Sequence, residues 1–311
     1  MELIRGIHNL EPRHRGGVAT IGNFDGVHRG HARLLERTHS AAAALAVPAC
    51  VVTFEPHSKE FFAPDKAPPR LTDLRGKVQA LQDAGMARLL VLRFDWSLAG
   101  LEPRAFIDRV LVAGLGVRHV VVGHDFAFGR GAKGGFADLE AAGRALGFVT
   151  EEVPELRLEG RAVGSTAVRA ALAEGDLEEA RFLLGRPYSL CGRVVAGDRV
   201  GRGLGFPTAN LHTRHHRLPL TGVYAARVNG PGLTDRPAAV NVGHRPTVHG
   251  ADVRLEAHIL DGAPDLYGAL LEVTFERRLR AERAFADLEA LKAQIGEDVR
   301  QTRAHFGLAR S

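Results

Sequence analysis

The sequence predicts a two-part fold: an α/β domain built on a parallel sheet, then an antiparallel β barrel or sandwich closed by a helix. Three observations predict it. β-branched runs alternate with helical patterns from Val18 to about Pro154. From Ser189 onward the runs follow one another strand after strand, joined by turns rich in Gly, Pro, Asp and His. One amphipathic stretch then ends the pattern. Short continuous apolar strands that alternate with helices mark a parallel sheet covered on both faces, and ligands of such sheets bind beyond the carboxyl ends of the strands.

Taken in order, Val18 to Ile21 reads as a strand and 31–46 as a helix. Ala49 to Phe54 precedes a helix at 72–84, Leu89 to Phe94 one at 103–113, and Val120 to Gly123 one at about 136–146. Phe148 to Thr150 opens a fifth strand. Two short helices follow, Thr166 to Glu174 and Leu177 to Leu184, the second stopped by Gly185 with Pro187 just beyond. Strands are then expected at 189–196, 222–229, 237–242, 253–260 and 270–276. The closing helix, about 286–307, carries Leu288, Leu291, Ile295 and Val299 on one face. The change of pattern puts the division near 186, giving domains 1–186 and 187–311.

Composition bounds the function classes. A chain of 311 residues, 45% hydrophobic and 25% charged, is neither disordered nor a membrane protein by composition. The opening Met1 to Gly6 has neither a basic nor an apolar leader pattern, and the two cysteines, Cys50 and Cys191, form no CxxC. A cytosolic protein is expected, without a membrane partner. Of the 41 Lys and Arg only five are Lys, so the basic side is almost all Arg, whose forked donors suit phosphate. The same skew fits solvated positions. The one adjacent Lys/Arg pair, Arg277-Arg278, is no basic tract of the kind that marks a nucleic-acid arm; composition alone leaves nucleic acid and nucleotides both open, and the reading as a whole expects no nucleic-acid partner.

The first site string is Gly22-Asn23-Phe24-Asp25-Gly26-Val27-His28-Arg29-Gly30-His31, which puts His28 and His31 between a strand end and a helix N-terminus. Free backbone N–H groups and the positive end of the helix dipole make that an anion site. Two imidazoles three residues apart, with Gly30 between, can donate to phosphate oxygens, and Asp25 is placed to cap or orient the turn. Zinc ligation or plain capping are the rival readings; with no Cys nearby, phosphate is preferred. H-x-G-H resembles the signature of adenylyl-transferring nucleotidyltransferases, in which an acceptor phosphate attacks the α-phosphate of ATP in line and histidines stabilise the departing pyrophosphate. A literal G-x-G-x-x-G at Gly129 to Gly134 does not begin at a strand end, since His124 to Phe128 intervene, so it reads as a loop, with Phe126 and Phe128 able to cover a planar ligand.

The second string is Gly201-Arg202-Gly203-Leu204-Gly205-Phe206-Pro207-Thr208-Ala209-Asn210. Gly201, Gly203 and Gly205 let backbone amides approach phosphates, Pro207 stiffens the turn, and Thr208 and Asn210 offer oxygens suited to Mg²⁺. A rigid hairpin connection is the plainer alternative. Glu256 lies mid-strand on the same side as Arg254 and His258. Either it is solvated or it accepts a hydroxyl proton.

These strings, together with Phe54-Glu55-Pro56-His57, Arg70-Leu71-Thr72, Gly123 to Gly129, Ser165 to Arg169, Asn241 to Thr247, Glu256 to Asp261 and Leu266-Tyr267-Gly268, resemble the bacterial bifunctional riboflavin kinase/FMN adenylyltransferases, or FAD synthetases, along nearly the whole chain. The resemblance implies a Rossmann-like nucleotidyltransferase domain followed by a mostly antiparallel riboflavin kinase barrel with a C-terminal helix. It implies that ATP·Mg²⁺ phosphorylates riboflavin in the barrel, with Thr208 and Asn210 on metal and phosphates and Glu256 as base, and that the FMN formed is adenylylated by a second ATP in the N-terminal domain. There Gly22, Phe24, Asp25, His28, Gly30 and His31 would meet the triphosphate, Ser165, Thr166 and Arg169 would hold its other end, and Asp125, Phe126 and Phe128 would contact the flavin. The family usually has two serines before the Thr, where this chain has Gly164-Ser165-Thr166, and Asp125 is Asn in some relatives. Two alternatives stay open on sequence: an adenylyltransferase for another phosphorylated cofactor precursor with an accessory β domain, and a basic, flavin-sensing nucleic-acid-binding regulator.

Overall fold

The computed structural model describes residues 1–197, 200–213, 217–247, 250–262 and 264–309. Contacts divide the chain into two units: 1–68 with 77–164, and 69–76 with 165–311.

The first unit contains β1 (Glu2–Arg5), β2 (Val18–Ile21), α1 (Arg29–Ala44), β3 (Ala49–Glu55), α2 (Ser58–Phe62), most of α3 (Leu74–Asp83), β4 (Arg88–Arg93), α4 (Trp96–Ala99) and α5 (Pro103–Phe106), which widens into π turns over Ile107–Gly114. β5 (His119–Gly123), α6 (Phe136–Leu146), β6 (Val149–Val153) and the two-residue pair β7 (Arg157–Leu158) and β8 (Arg161–Ala162) complete it. Strands β1 to β6 form one sheet in the order β1-β4-β3-β2-β5-β6, every pair parallel. Because side chains alternate across a strand, Ile21, Val52, Leu90, Leu92 and Val122 share one face and bury against Phe106, Leu111 and Leu139. α1 packs on β2, β3 and β5, burying Leu34 and Leu35.

Chain order reverses between β2 and β5: the strand after β2 lies on one side of it and β5 on the other. At such a switch point the two following loops diverge and leave a crevice at the carboxyl end. The end of β2 is Ile21, immediately before the Gly22 to His31 string.

The second unit opens with α7 (Ser165–Glu174) and α8 (Leu177–Leu184), which closes at Gly185 in the left-handed conformation. It continues through β9 (Ser189–Val195), α9 (Val200–Gly203), β10 (Ala209–His212), β11 (Gly222–Gly230), β12 (Leu233–Thr247), β13 (Gly250–Ile259), β14 (Leu270–Arg280) and α10 (Leu288–His305). The strands close a barrel in the order β10-β13-β12-β11-β14-β9, all antiparallel, which resolves the choice between barrel and sandwich. Leu190, Val194, Leu255, Ala257, Val273 and Phe275 are buried at alternate positions, leaving Arg254, Glu256 and His258 on the other side of β13.

The structure extends and corrects the sequence reading at several elements. β1 was not expected; it is an edge strand, paired only with β4, and buries Ile4 alone, so its four residues carry little hydrophobic pattern. β10 was absorbed into the glycine string because its only buried residue is Leu211. β12 runs far beyond 237–242, since Pro237 and Gly243, which look like breakers, are accommodated in the ladder opposite Arg227 and Arg254. No described helix is long and apolar enough to cross a membrane.

Candidate functional site

In the first unit the site is built from the turn between β2 and α1. His28 is the N-cap of α1: its Nδ1 accepts a hydrogen bond from the His31 backbone N–H at 3.3 Å, so the cap is His28 rather than Asp25. Asp25 is buried next to it. The two imidazoles stack, 3.7 Å between centroids and 18° between planes, and Phe24 lies 5.1 Å from the His31 ring. Gly30 makes the stack possible. A Cβ there would stand 3.1 Å from His28 Nδ1 and 3.1 Å from the Val163 carbonyl oxygen. Phe24 and Val27 take the left-handed backbone region that such side chains avoid, so the turn is strained on both sides of Gly26.

His31 Nδ1 is buried without a hydrogen-bond partner, as is Asn23 Oδ1. Burial, reinforced by His28 and by Lys77, pushes the His31 imidazole well below its usual value, so it is neutral at pH 7. Lys77 is itself buried, its Nζ 3.5 Å from Thr53 Oγ1, and Thr53 Oγ1 donates to the Asn23 carbonyl. Neither Lys77 nor Asn23 was singled out from sequence; the signal for Lys77 is a lysine at an apolar position of α3, between Leu74 and Leu81.

Beyond the carboxyl ends of β2, β3, β4 and β5 lies a cavity of about 500 Å³. It is lined by Asn23, Phe54, Phe62, Phe94, Phe106 and the loop Phe126 to Gly129, among others. Phe126 and Phe128 line it and stack at 5.2 Å, whereas Asp125 is exposed and outside the lining. The glycine loop is a small hairpin: Phe128 N–H donates to the Gly134 carbonyl at 3.0 Å and Gly134 N–H donates back at 2.9 Å. It does not follow a strand end, so it is no dinucleotide fingerprint.

Ser165, Thr166 and Arg169 fall in the second unit, in the first turns of α7. Arg169 Nε donates to the Pro69 carbonyl at 2.7 Å, tying the 69–76 segment to α7.

On the barrel, Glu256 of β13 stands directly between Asn210 of β10 and Asn241 of β12 in the ladder, so three polar side chains share one face. Arg254 Nη1 donates to Glu256 Oε1 at 3.2 Å. The glycine string folds into the short α9 and a tight turn. Phe206 N–H donates to the Gly201 carbonyl at 2.8 Å, a Cβ on Gly201 would meet the Phe206 oxygen at 2.5 Å, and Gly205 has a positive φ. Gly203 ends α9. Pro207 leads to Thr208 and then Asn210, whose amide lies over Gly197. Among the described residues no three His, Cys, Asp or Glu cluster as metal ligands. Thr208 and Asn210 supply neutral oxygens instead. That donor set suits Mg²⁺, a hard cation that keeps waters and shares substrate phosphates rather than needing a full protein cage.

Comparison with known proteins agrees with this two-site layout. An FAD synthetase family model matches residues 10–167 and a riboflavin kinase model residues 184–306. A bifunctional riboflavin kinase/FMN adenylyltransferase from Pseudomonas fluorescens is 49% identical over 98% of this chain and 97% of its own. One from Escherichia coli K12 is 46% identical over 100% and 99%. A crystal structure described as a macrolide-efflux protein from Streptococcus pneumoniae is 28% identical, with a TM-score of 0.82 over 97% of this chain and 99% of that one. With both models matched in the same order as the two sites, and relatives aligned from end to end, the chain belongs to the family of bifunctional riboflavin kinase/FMN adenylyltransferases.

Proposed function

We infer that this chain makes both flavin nucleotides: ATP phosphorylates riboflavin to FMN on the barrel, and a second ATP adenylylates FMN to FAD, with release of pyrophosphate, in the α/β domain. The pairing of the two family models in one chain carries this reading. The first model stops at 167 and the second begins at 184, two residues before the functional division proposed at 186.

In the N-terminal reaction an oxygen of the FMN phosphate forms a bond to the α-phosphorus of ATP as the bond to the bridging oxygen breaks, and no proton need move. What the site supplies is charge and position. The N-terminus of α1 and the stacked His28 and His31 receive the triphosphate, with Gly22, Phe24, Asp25 and Gly30 shaping the turn. His31, neutral in the free protein, offers a ring N–H as a hydrogen-bond donor to the phosphate oxygens where pyrophosphate leaves. The aromatic cavity, with Phe126 and Phe128, takes the planar ring of the flavin. Asp125 is assigned as a flavin contact on the family resemblance.

In the C-terminal reaction Glu256 accepts the proton of the riboflavin 5′-hydroxyl as its oxygen bonds to the γ-phosphorus and ADP departs. Gly201, Gly203, Gly205 and Pro207 shape the turn that meets the phosphates. Thr208 and Asn210 would hold Mg²⁺, which when bound neutralises charge on the phosphate oxygens. Both reactions are placed in the cytosol. Incubation of the purified chain with riboflavin, ATP and MgCl₂, followed by chromatography, tests the reading: FMN and FAD are expected, and formation of neither would overturn it.

A further inference from the structure

We propose that His258 is a positioning residue of the kinase site, holding the Pro207 carbonyl and so fixing where Thr208 meets the nucleotide. This rests on the reading that the Gly201 to Asn210 string receives ATP. His258 lies two residues from Glu256 on the same face of β13. Its Nδ1 is 2.8 Å from the Pro207 carbonyl oxygen. A carbonyl only accepts, so Nδ1 carries the hydrogen and the imidazole has one defined tautomer in its neutral form. The ring also meets Phe206 edge to face, 5.6 Å between centroids at 83°. Phe206 in turn reaches α10, its Cζ 3.9 Å from where a Cβ on Gly296 would stand.

The turn needs such a tie at that point. It closes on itself through the Phe206 and Leu204 amides, both donating to Gly201, and the barrel ladder resumes only at Ala209, opposite Ala257. Between these anchors lie Pro207, which has no N–H to donate, and Thr208. His258 supplies the hydrogen bond that joins this interval to the strand carrying Glu256. Without it no hydrogen bond among the described residues joins the 207–208 peptide to that strand, and ordering Thr208 becomes a cost of binding ATP. The interior of the barrel is untouched, because His258 lies on the outward side of β13.

The test uses the full chain and measures riboflavin phosphorylation with ATP and then riboflavin varied, for H258L, H258N, H258Q and T208A. FMN adenylylation and thermal unfolding of the same preparations report folding. Asn places its amide nitrogen near where Nδ1 stands, Gln near Nε2. Loss of a neutral hydrogen bond of this kind corresponds to roughly a tenfold change. H258L and H258Q are therefore expected to raise KM for ATP about tenfold, with KM for riboflavin unchanged, and H258N to restore most of the loss. An unchanged KM for ATP in H258L and H258Q, an equal rise in both KM values, or H258N no better than H258Q overturns the positioning role. Should H258L not fold, the Asn and Gln variants decide between the same outcomes. T208A phosphorylating riboflavin as well as wild type would overturn the site reading itself, whereas an inactive T208A beside an unaffected H258Q overturns only the role of His258.

Discussion

The imidazole of His28 lies face to face with that of His31, 3.7 Å between centroids, and the residue that permits the stack is Gly30. A Cβ at Gly30 is trapped between His28 Nδ1 and the Val163 backbone oxygen, both at 3.1 Å, and of the two the ring is the one free to yield. Gly30→Ala is expected to shift the His28 ring by a few tenths of an ångström and lower kcat/KM for FMN adenylylation several-fold, since a group that meets the phosphates must be held in place. Riboflavin phosphorylation should not change. Steady-state kinetics of both reactions on one preparation check this; undiminished FAD formation would contradict it.

The same stack sets a pH dependence. His31 is held well below the ordinary imidazole value of 6.5, by burial first and then by His28 and Lys77. Between that folded value and 6.5 the unfolded chain binds the proton and the folded chain does not, so stability falls as pH drops below about 6.5 and is fully present above it. His31→Asn removes this contribution. Trp96, the only tryptophan, belongs to the same unit and reports its unfolding by fluorescence. In urea titrations the wild type should lose more stability than the variant between pH 7.5 and 5.5. Parallel losses would show that His31 is not the group responsible.

On the barrel, Gly201 has no room for a side chain, because a Cβ would stand 2.5 Å from the Phe206 oxygen, a backbone atom. Gly201→Ala should open the phosphate turn and remove most riboflavin phosphorylation while adenylylation of added FMN continues. Kinase activity near wild type in this variant would show that the turn does not receive ATP.

The C-terminal helix is tied to β14 by Arg280, which donates from Nε and Nη2 to both oxygens of the buried Asp298 at 2.8 to 3.2 Å, with Gln294 Nε2 donating as well. Removing one partner of a buried pair leaves the other charge uncompensated. Asp298→Ala is expected to destabilise the barrel by about 3 kcal/mol, and a second change, Arg280→Met, to recover part of it. Thermal unfolding of the three proteins measures this, and a double variant no more stable than Asp298→Ala would contradict it.

Much of this was legible in the sequence, for physical reasons that differ by element. The central strands β2 to β5 are buried on both faces and therefore read as continuous apolar runs, and H-x-G-H was visible because its residues are neighbours in the chain. β1 and β10 were missed because an edge strand and a four-residue strand bury one residue each. The aromatic cavity was legible only at Phe126 and Phe128. Its other walls, Phe54, Phe62, Phe94 and Phe106, come from four separate segments and meet only when parallel strands end at one edge. Glu256 was found by its place on β13, but Asn210 and Asn241 on either side of it required the barrel register.

The central claim is that one chain carries two separate reactions at two sites. Its most direct test is the product pattern of two single-site variants supplied with riboflavin, ATP and MgCl₂, and then with FMN in place of riboflavin. His31→Ala should accumulate FMN from riboflavin and make no FAD. Glu256→Gln should make no FMN from riboflavin yet convert added FMN to FAD. If either variant, folded as judged by its melting profile, loses both reactions, the assignment of two independent sites is contradicted.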